Sequence, residues 1–136
     1  MSGRPVDKIV ADLLDAVGAA RELVGRGRDA YDSDRLLRLA GEAVIGRIGD
    51  SAAKLRDQHG DSLPKEIPWD DVIANRIIVD HIYHRVDYDL LWNTLERDVP
   101  ALGARLREWA GDRGVNLELP PRPRLSREQS PPGLEQ

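Results

Sequence analysis

The side chains best suited to proton transfer and phosphate chemistry crowd into one stretch, residues 75–88, which reads NRIIVDHIYHRVDY. It holds Arg76, Asp80, His81, Tyr83, His84, Arg85, Asp87 and Tyr88, with Trp69 and Trp92 on either side. An imidazole, with an unperturbed pKa of about 6.5, moves protons near neutrality. A guanidinium is a permanently charged fork whose geometry matches phosphate oxygens. A plainer explanation of the same pattern is a helix with an isoleucine-rich buried side and a solvated polar side. Helical geometry sharpens the question. At about 100° per residue Arg76, Asp80, Tyr83 and Asp87 share a narrow stripe, whereas His81 lies about 140° round from Arg76. One ideal helix cannot bring both to a single phosphate. Either the helix is interrupted nearby, or a second copy of the chain supplies the partner group across a twofold axis.

Elsewhere the chain offers less. His59 reads as the end of a helix beside Gly60, and His84, one turn after Asp80, as a solvated side chain with at most an auxiliary role. There is no cysteine and no His-x3-His pair, so disulfides, thiolate nucleophiles and a dedicated zinc site are not expected. Asp70, Asp71, Asp87 and Asp89 resemble magnesium ligands in type, but helix capping explains them more simply. No glycine-rich phosphate loop and no Ser/His/Asp arrangement is present. The expectation is no metal and no cofactor.

The elements that must position residues 75–88 are legible in the apolar spacing. The chain has 136 residues, 40% hydrophobic and 32% charged, which suits one soluble domain. Val6, Ile9, Val10, Leu13, Leu14, Val17, Ala20, Leu23 and Val24 recur at intervals of three and four, predicting a helix from Pro5 to about residue 28. A polar turn over 29–33 follows, with Ser33 as N-cap of a second helix over 34–58 that Gly60 terminates. Gly41, Gly46 and Gly49 each cost about 1 kcal/mol in a helix interior relative to Ala, which suggests close helix–helix approach. A loop over 61–68 leads to a third helix near Trp69, carrying Val72, Ile73, Ile77, Ile78 and Ile82. Asp87 caps a fourth with Leu90, Leu91, Trp92 and Leu95, and Pro100 opens a fifth with Leu102, Leu106 and Trp109. Nothing alternates with a strand's period of two. The expected fold is all-α, an antiparallel bundle of about five helices over residues 1–114.

Residues 115–136 carry five prolines, at 120, 121, 123, 131 and 132, and read as a flexible or partner-binding tail. The start of the chain shows no signal peptide, and no segment approaches the roughly 18 apolar residues of a membrane span, so the expected setting is the cytoplasm, away from membranes. The formal net charge of −4 argues against non-specific coating of nucleic acid. The basic residues are almost all Arg, with lysine only at 8, 54 and 65; a GC-rich genome is explanation enough for that bias.

Arg76, four intervening residues, His81, one residue and Tyr83 form Arg-x4-His-x-Tyr, and in this the chain resembles the HepT-like toxins of the HEPN superfamily. The likeness extends to Gly41-Glu42-Ala43, Ile67-Pro68-Trp69, Val86-Asp87, Leu91-Trp92 and Asp98-Val99-Pro100-Ala101-Leu102, together spanning about residues 6–106. Two places depart from it. Ile77 stands where Asn is common, and Asp80 where a small residue usually precedes the His.

The resemblance implies the toxin of a type VII-like toxin–antitoxin pair, acting on RNA as a metal-independent endoribonuclease and homodimer. His81 would be the general base or acid and Arg76 the stabiliser of phosphate charge. The product would end in a 2′,3′-cyclic phosphate, and DNA, lacking the 2′-hydroxyl, would survive. Tyr83 would be the residue that a cognate minimal nucleotidyltransferase antitoxin modifies with AMP, blocking and repelling RNA. Asp80 would either orient the pair or weaken phosphate binding. A different class of function, a non-catalytic HEPN module that binds the nucleotidyltransferase or a nucleotide, is favoured by Asp80. The intact Arg76/His81/Tyr83 set favours the nuclease.

Overall fold

The structure is a computed structural model that describes residues 5–80, 86–115 and 117; for Pro5 and for 76–80 it describes the backbone path alone. Every regular element among these residues is helical: α1 (Pro5–Gly25), α2 (Arg28–Ser33), α3 (Arg35–His59), α4 (Trp69–Asp80), α5 (Tyr88–Asn93) and α6 (Val99–Asp112). The all-α expectation holds.

The stripe on α1 is buried as its spacing requires, with Val10, Leu13, Leu14, Val17, Ala20 and Leu23 in the core. Its end differs from the expected one. The helix stops at Gly25, and Gly27, at φ 92°, turns the chain through a conformation that side chains rarely adopt. The expected polar turn over 29–33 is instead the short helix α2. Its reason is Tyr31, fully buried, which the surrounding charged residues mask in the sequence. Ser33 is not the cap of α3, because its hydroxyl donates back to the Asp29 and Ala30 carbonyls. Asp34 takes that place, accepting the Leu36 N–H at 2.9 Å.

The long helix α3 is the centre of the bundle. It runs antiparallel to α1, since Gly41 meets Leu23 while Arg47 reaches back to Asp15. On its other side it runs antiparallel to α4, from the Arg56–Asp70 ion pair at one end to Ile45 and Ile48 beside Val72 and Asn75 further along. At Gly41 a Cβ would come within 3.1 Å of Leu95 and 3.4 Å of Leu91, so this glycine does mark a close approach. Gly60 ends α3 without a left-handed cap, at φ −50°, and the chain tightens there into a 3-10 turn, Gly60–Ser62.

That connection is pinned from the opposite side. The Trp109 indole donates to the Ser62 carbonyl, Arg105 to the Glu66 carbonyl and the Trp69 indole to the Pro64 carbonyl, while Ile67 is buried. The start of α4 is thereby held in place. Asp87 caps α5 as expected, accepting from the Asp89 and Leu90 N–H groups. Pro100 stands in the first turn of α6, as expected of the residue that opens it, and between α5 and α6 the chain stays helical through a π-type turn, Thr94–Asp98. Tight packing of α6 on α1 is set by Gly103, where a Cβ would lie 2.7 Å from Val17 Cγ1.

At the end of α6, Gly114 (φ 64°) and the Val115 N–H bond to the Ala110 carbonyl form a Schellman-type stop. Val115 and Leu117 pack against the core; the remainder of the proline-rich tail lies outside the described residues. No described helix is long and apolar enough to cross a membrane.

Candidate functional site

Helix α4 carries residues 76–80 as its last turn, so the positions of Arg76 and Asp80 are helical in backbone. His81, Tyr83, His84 and Arg85 lie outside the described residues, and the side chains of Arg76 and Asp80 are not described either. What the structure does place is the frame on both sides of them.

Upstream, Val72 and Ile73 turn toward the core, Ile73 fully and Val72 partly buried, while Asn75 reaches a small recess with Ile45, Thr94 and Val99.

Downstream, the first residue of α5 is clasped from three directions. The Tyr88 hydroxyl donates to Glu42 Oε2 on α3 at 2.8 Å. The buried Tyr31 hydroxyl on α2 donates to the Tyr88 carbonyl at 2.8 Å. The Arg38 guanidinium lies 5.5 Å from the Tyr88 ring centre, and it also donates to the Tyr31 and Asp32 carbonyls that end α2. Tyr31 packs edge-on to Tyr88 and against Trp92, with ring centres 6.5 and 5.0 Å apart. Arg28, over the Tyr31 and Trp92 rings, pairs with Asp32 and Asp89. Both ends of the stretch from Asp80 to Asp87 are thus attached to the same central helix, one through α4 and the other through Tyr88.

The electrostatics follow from these contacts. Hydrogen bonding to Glu42, with a smaller part from burial, raises the Tyr88 phenol above its usual pKa, because the anion would face a carboxylate. Burial pushes Tyr31 up to about 12. The carboxylates of Asp32 and Asp89 raise Arg28 further, keeping it charged. Asp70, a conceivable metal ligand by type, is engaged by Arg56, and Asp87 by its capping role. Among the described residues no group of three or more His, Asp or Glu is placed to hold a metal ion.

Sequence reasoning missed Tyr31, Arg38 and the pairing of Glu42 with Tyr88, although Glu42 stood out inside Gly41-Glu42-Ala43 and Tyr88 in the 75–88 stretch. The contacts of Tyr31 and Arg38 depend on α2 folding back over α5, which local spacing does not encode.

Among the described residues the chain is a strand-free helical bundle whose central helix holds both α4 and Tyr88. Residues 13–108 match the family model described as "Ribonuclease HepT-like", and the chain belongs to that family. A curated relative from Methanocaldococcus jannaschii, named "Putative RNase MJ1380", is 26% identical over 106 residues, covering 75% of this chain and 94% of the relative. No solved structure matches.

Proposed function

We propose that the chain is the toxin of a two-component toxin–antitoxin system, a metal-independent endoribonuclease neutralised by a nucleotidyltransferase antitoxin. Family membership across residues 13–108, which enclose the whole Arg76/His81/Tyr83 set, is the observation that carries this reading. In it His81 accepts the proton of a ribose 2′-hydroxyl as that oxygen attacks the adjacent phosphorus. Arg76 balances the charge building on the phosphorane oxygens. The 5′-oxygen then departs with a proton, leaving a 2′,3′-cyclic phosphate. In this reading, as the resemblance implies, the active form is a homodimer in which each subunit completes the other's site. Tyr83 is the site at which the antitoxin adds AMP, whose phosphate blocks and repels RNA.

Expression without the partner tests the reading. The wild-type chain should arrest growth, and His81→Ala and Arg76→Ala should not, while purified wild-type protein should cleave RNA in the presence of EDTA. Equal harmlessness of all three folded proteins, together with no cleavage in vitro, would sink the nuclease. Asp80, beside His81, would then point to the binding module, with the same surface serving the nucleotidyltransferase. Tyr83→Phe should stay toxic yet escape the AMP adduct seen by intact mass in the co-expressed pair; an unmodified Tyr83 in a neutralised pair would remove the modification from the scheme.

A further inference from the structure

Helix α1 packs on α3 and on α6, and between those two neighbours its outer side forms a groove of about 660 Å³. Ala11, Leu14, Gly18 and Ala19 make the floor, with Arg47 of α3 and Arg107 of α6 at the rims. A Cβ added at Gly18 would meet nothing within 4 Å, so the middle of the groove is open. One end is already taken by the chain itself. Leu117, partly buried against the core, lines the groove, and the Val115 N–H bond to the Ala110 carbonyl fixes how the chain leaves α6 to get there. The end of α6 stands beside the end of α3, where the Trp109 indole meets the Ser62 carbonyl. Since α3 runs antiparallel to α1, Leu117 enters at the end of the groove nearer Ala11.

The residues that follow Leu117 suit the rest of the groove. They read ELPPRPRL over 118–125. An extended segment on a helix surface finds no ladder for its N–H groups, and Pro120, Pro121 and Pro123 have none to leave unpaired. A polyproline-type arm is also ordered in advance, so docking it costs little entropy. The reach agrees. Positions 11 to 22 of α1 span about 16 Å at about 1.5 Å per residue, and positions 117 to 122 of an extended arm span about 15 Å at about 3.1 Å per residue. The charges fall in matching order as well. Arg107 lies one turn past Gly103, which meets Val17, and so stands at the Ala11 end; exposed Glu22 lies at the other. The arm carries Glu118 first and Arg122 after it. Arg47, between them, is already balanced by Asp15 and Asp12. Exposed ion pairs add little strength, so they set the direction while burial of Leu119 supplies the attraction. We propose that the groove on α1 is the docking site of residues 118–122 of the same chain, laid from Ala11 toward Glu22 with Leu119 over Gly18 and Arg122 at Glu22. The strap ties α6 to α1 from outside. It lies beyond the family match, which ends at residue 108, and does not depend on the nuclease reading.

The native chain has no cysteine, so engineered pairs in the full chain report the docking directly. Under mild oxidation the pair Ala19→Cys and Pro121→Cys should close within one chain, roughly tenfold faster than Glu108→Cys with Pro121→Cys. Glu108 is exposed on α6, outside the groove, and a tail that merely sweeps past would reach it as readily. Adding Leu119→Asp to the first pair should slow closure about tenfold, since it removes the apolar contact. Glu22→Arg should slow it about threefold, the smaller share expected of an exposed ion pair. Ala19 is half-buried at the open groove, Glu22 and Glu108 are exposed, and 119 and 121 lie beyond the helices, so helical circular dichroism should match wild type throughout. Equal closure rates at positions 19 and 108 overturn the proposal. So does closure indifferent to Leu119→Asp, or a disulfide that intact mass of the denatured protein finds only between two chains, which would give the groove to another copy's tail.

Discussion

The two halves of α3 have the same backbone and opposite duties. From Gly46 to His59 the helix is a structural rod, burying Ile48, Ala52 and Leu55 while its outer face is charged. From Arg35 to Ile45 it uses polar side chains inward, Glu42 to Tyr88 and Arg38 to the end of α2, and leaves leucines outside. Stability is concentrated in the first region and positioning in the second. A helix that serves only packing shows hydrophobic-in and polar-out; a departure from that order in one half of one helix is the mark of a second task.

The largest way to test the contrast is Leu55→Ala in the structural half. Leu55 is fully buried, so its truncation should cost about 2–5 kcal/mol, read as a lower urea midpoint with unchanged slope. Next comes Tyr88→Phe in the positioning half. It leaves Glu42 half-buried without its donor and should cost about 1.5 kcal/mol, the low end for a hydrogen bond to a charged group because the pair is partly solvated. If the positioning view holds, this variant should lose RNA cleavage by more than its small loss of stability explains; activity equal to wild type would break the comparison.

Tyr31→Phe should cost about 1 kcal/mol at neutral pH through the lost bond to the Tyr88 carbonyl. Its signature lies at alkaline pH. In the unfolded chain the phenol ionises near its ordinary 10.0, whereas in the fold it keeps its proton to about 12. Between those values the folded state binds more protons, so the stability contributed by the buried neutral phenol, fully present below pH 10, declines as pH climbs toward 12. Urea midpoints at pH 8, 10 and 11 should fall more steeply for wild type than for Tyr31→Phe. The smallest effect belongs to Lys54→Ala on the charged outer face, which should stay within about 0.5 kcal/mol of wild type.

Much of the scaffold is legible in the sequence because it rests on local rules. The three-and-four spacing of Val10, Leu13, Leu14 and Val17 is the core face of α1, and Asp87 caps its helix because a carboxylate there meets free N–H groups in any context. The errors fall where a distant element decides. Residues 29–33 look like a turn by composition, and become helical because Tyr31 fits a pocket made by α5. In the candidate site, the residue types and spacing of Arg76, His81 and Tyr83 were readable at once from the sequence. The clasp of Tyr31, Arg38 and Glu42 around Tyr88 was not, since its members are 46 and 57 residues from the tyrosine they hold in the two hydrogen-bonded cases.

By itself, then, the amino-acid order determined the helical class, the cap at Asp87 and the identity of the chemical groups, because periodicity, capping and side-chain chemistry act over a few residues. Only the folded chain decided that one helix anchors both ends of the stretch from Asp80 to Asp87, and that the outer side of that helix is apolar for half its length and charged for the rest. Those are properties of surfaces, and a surface exists only once elements far apart in the chain have chosen which of their faces to hide.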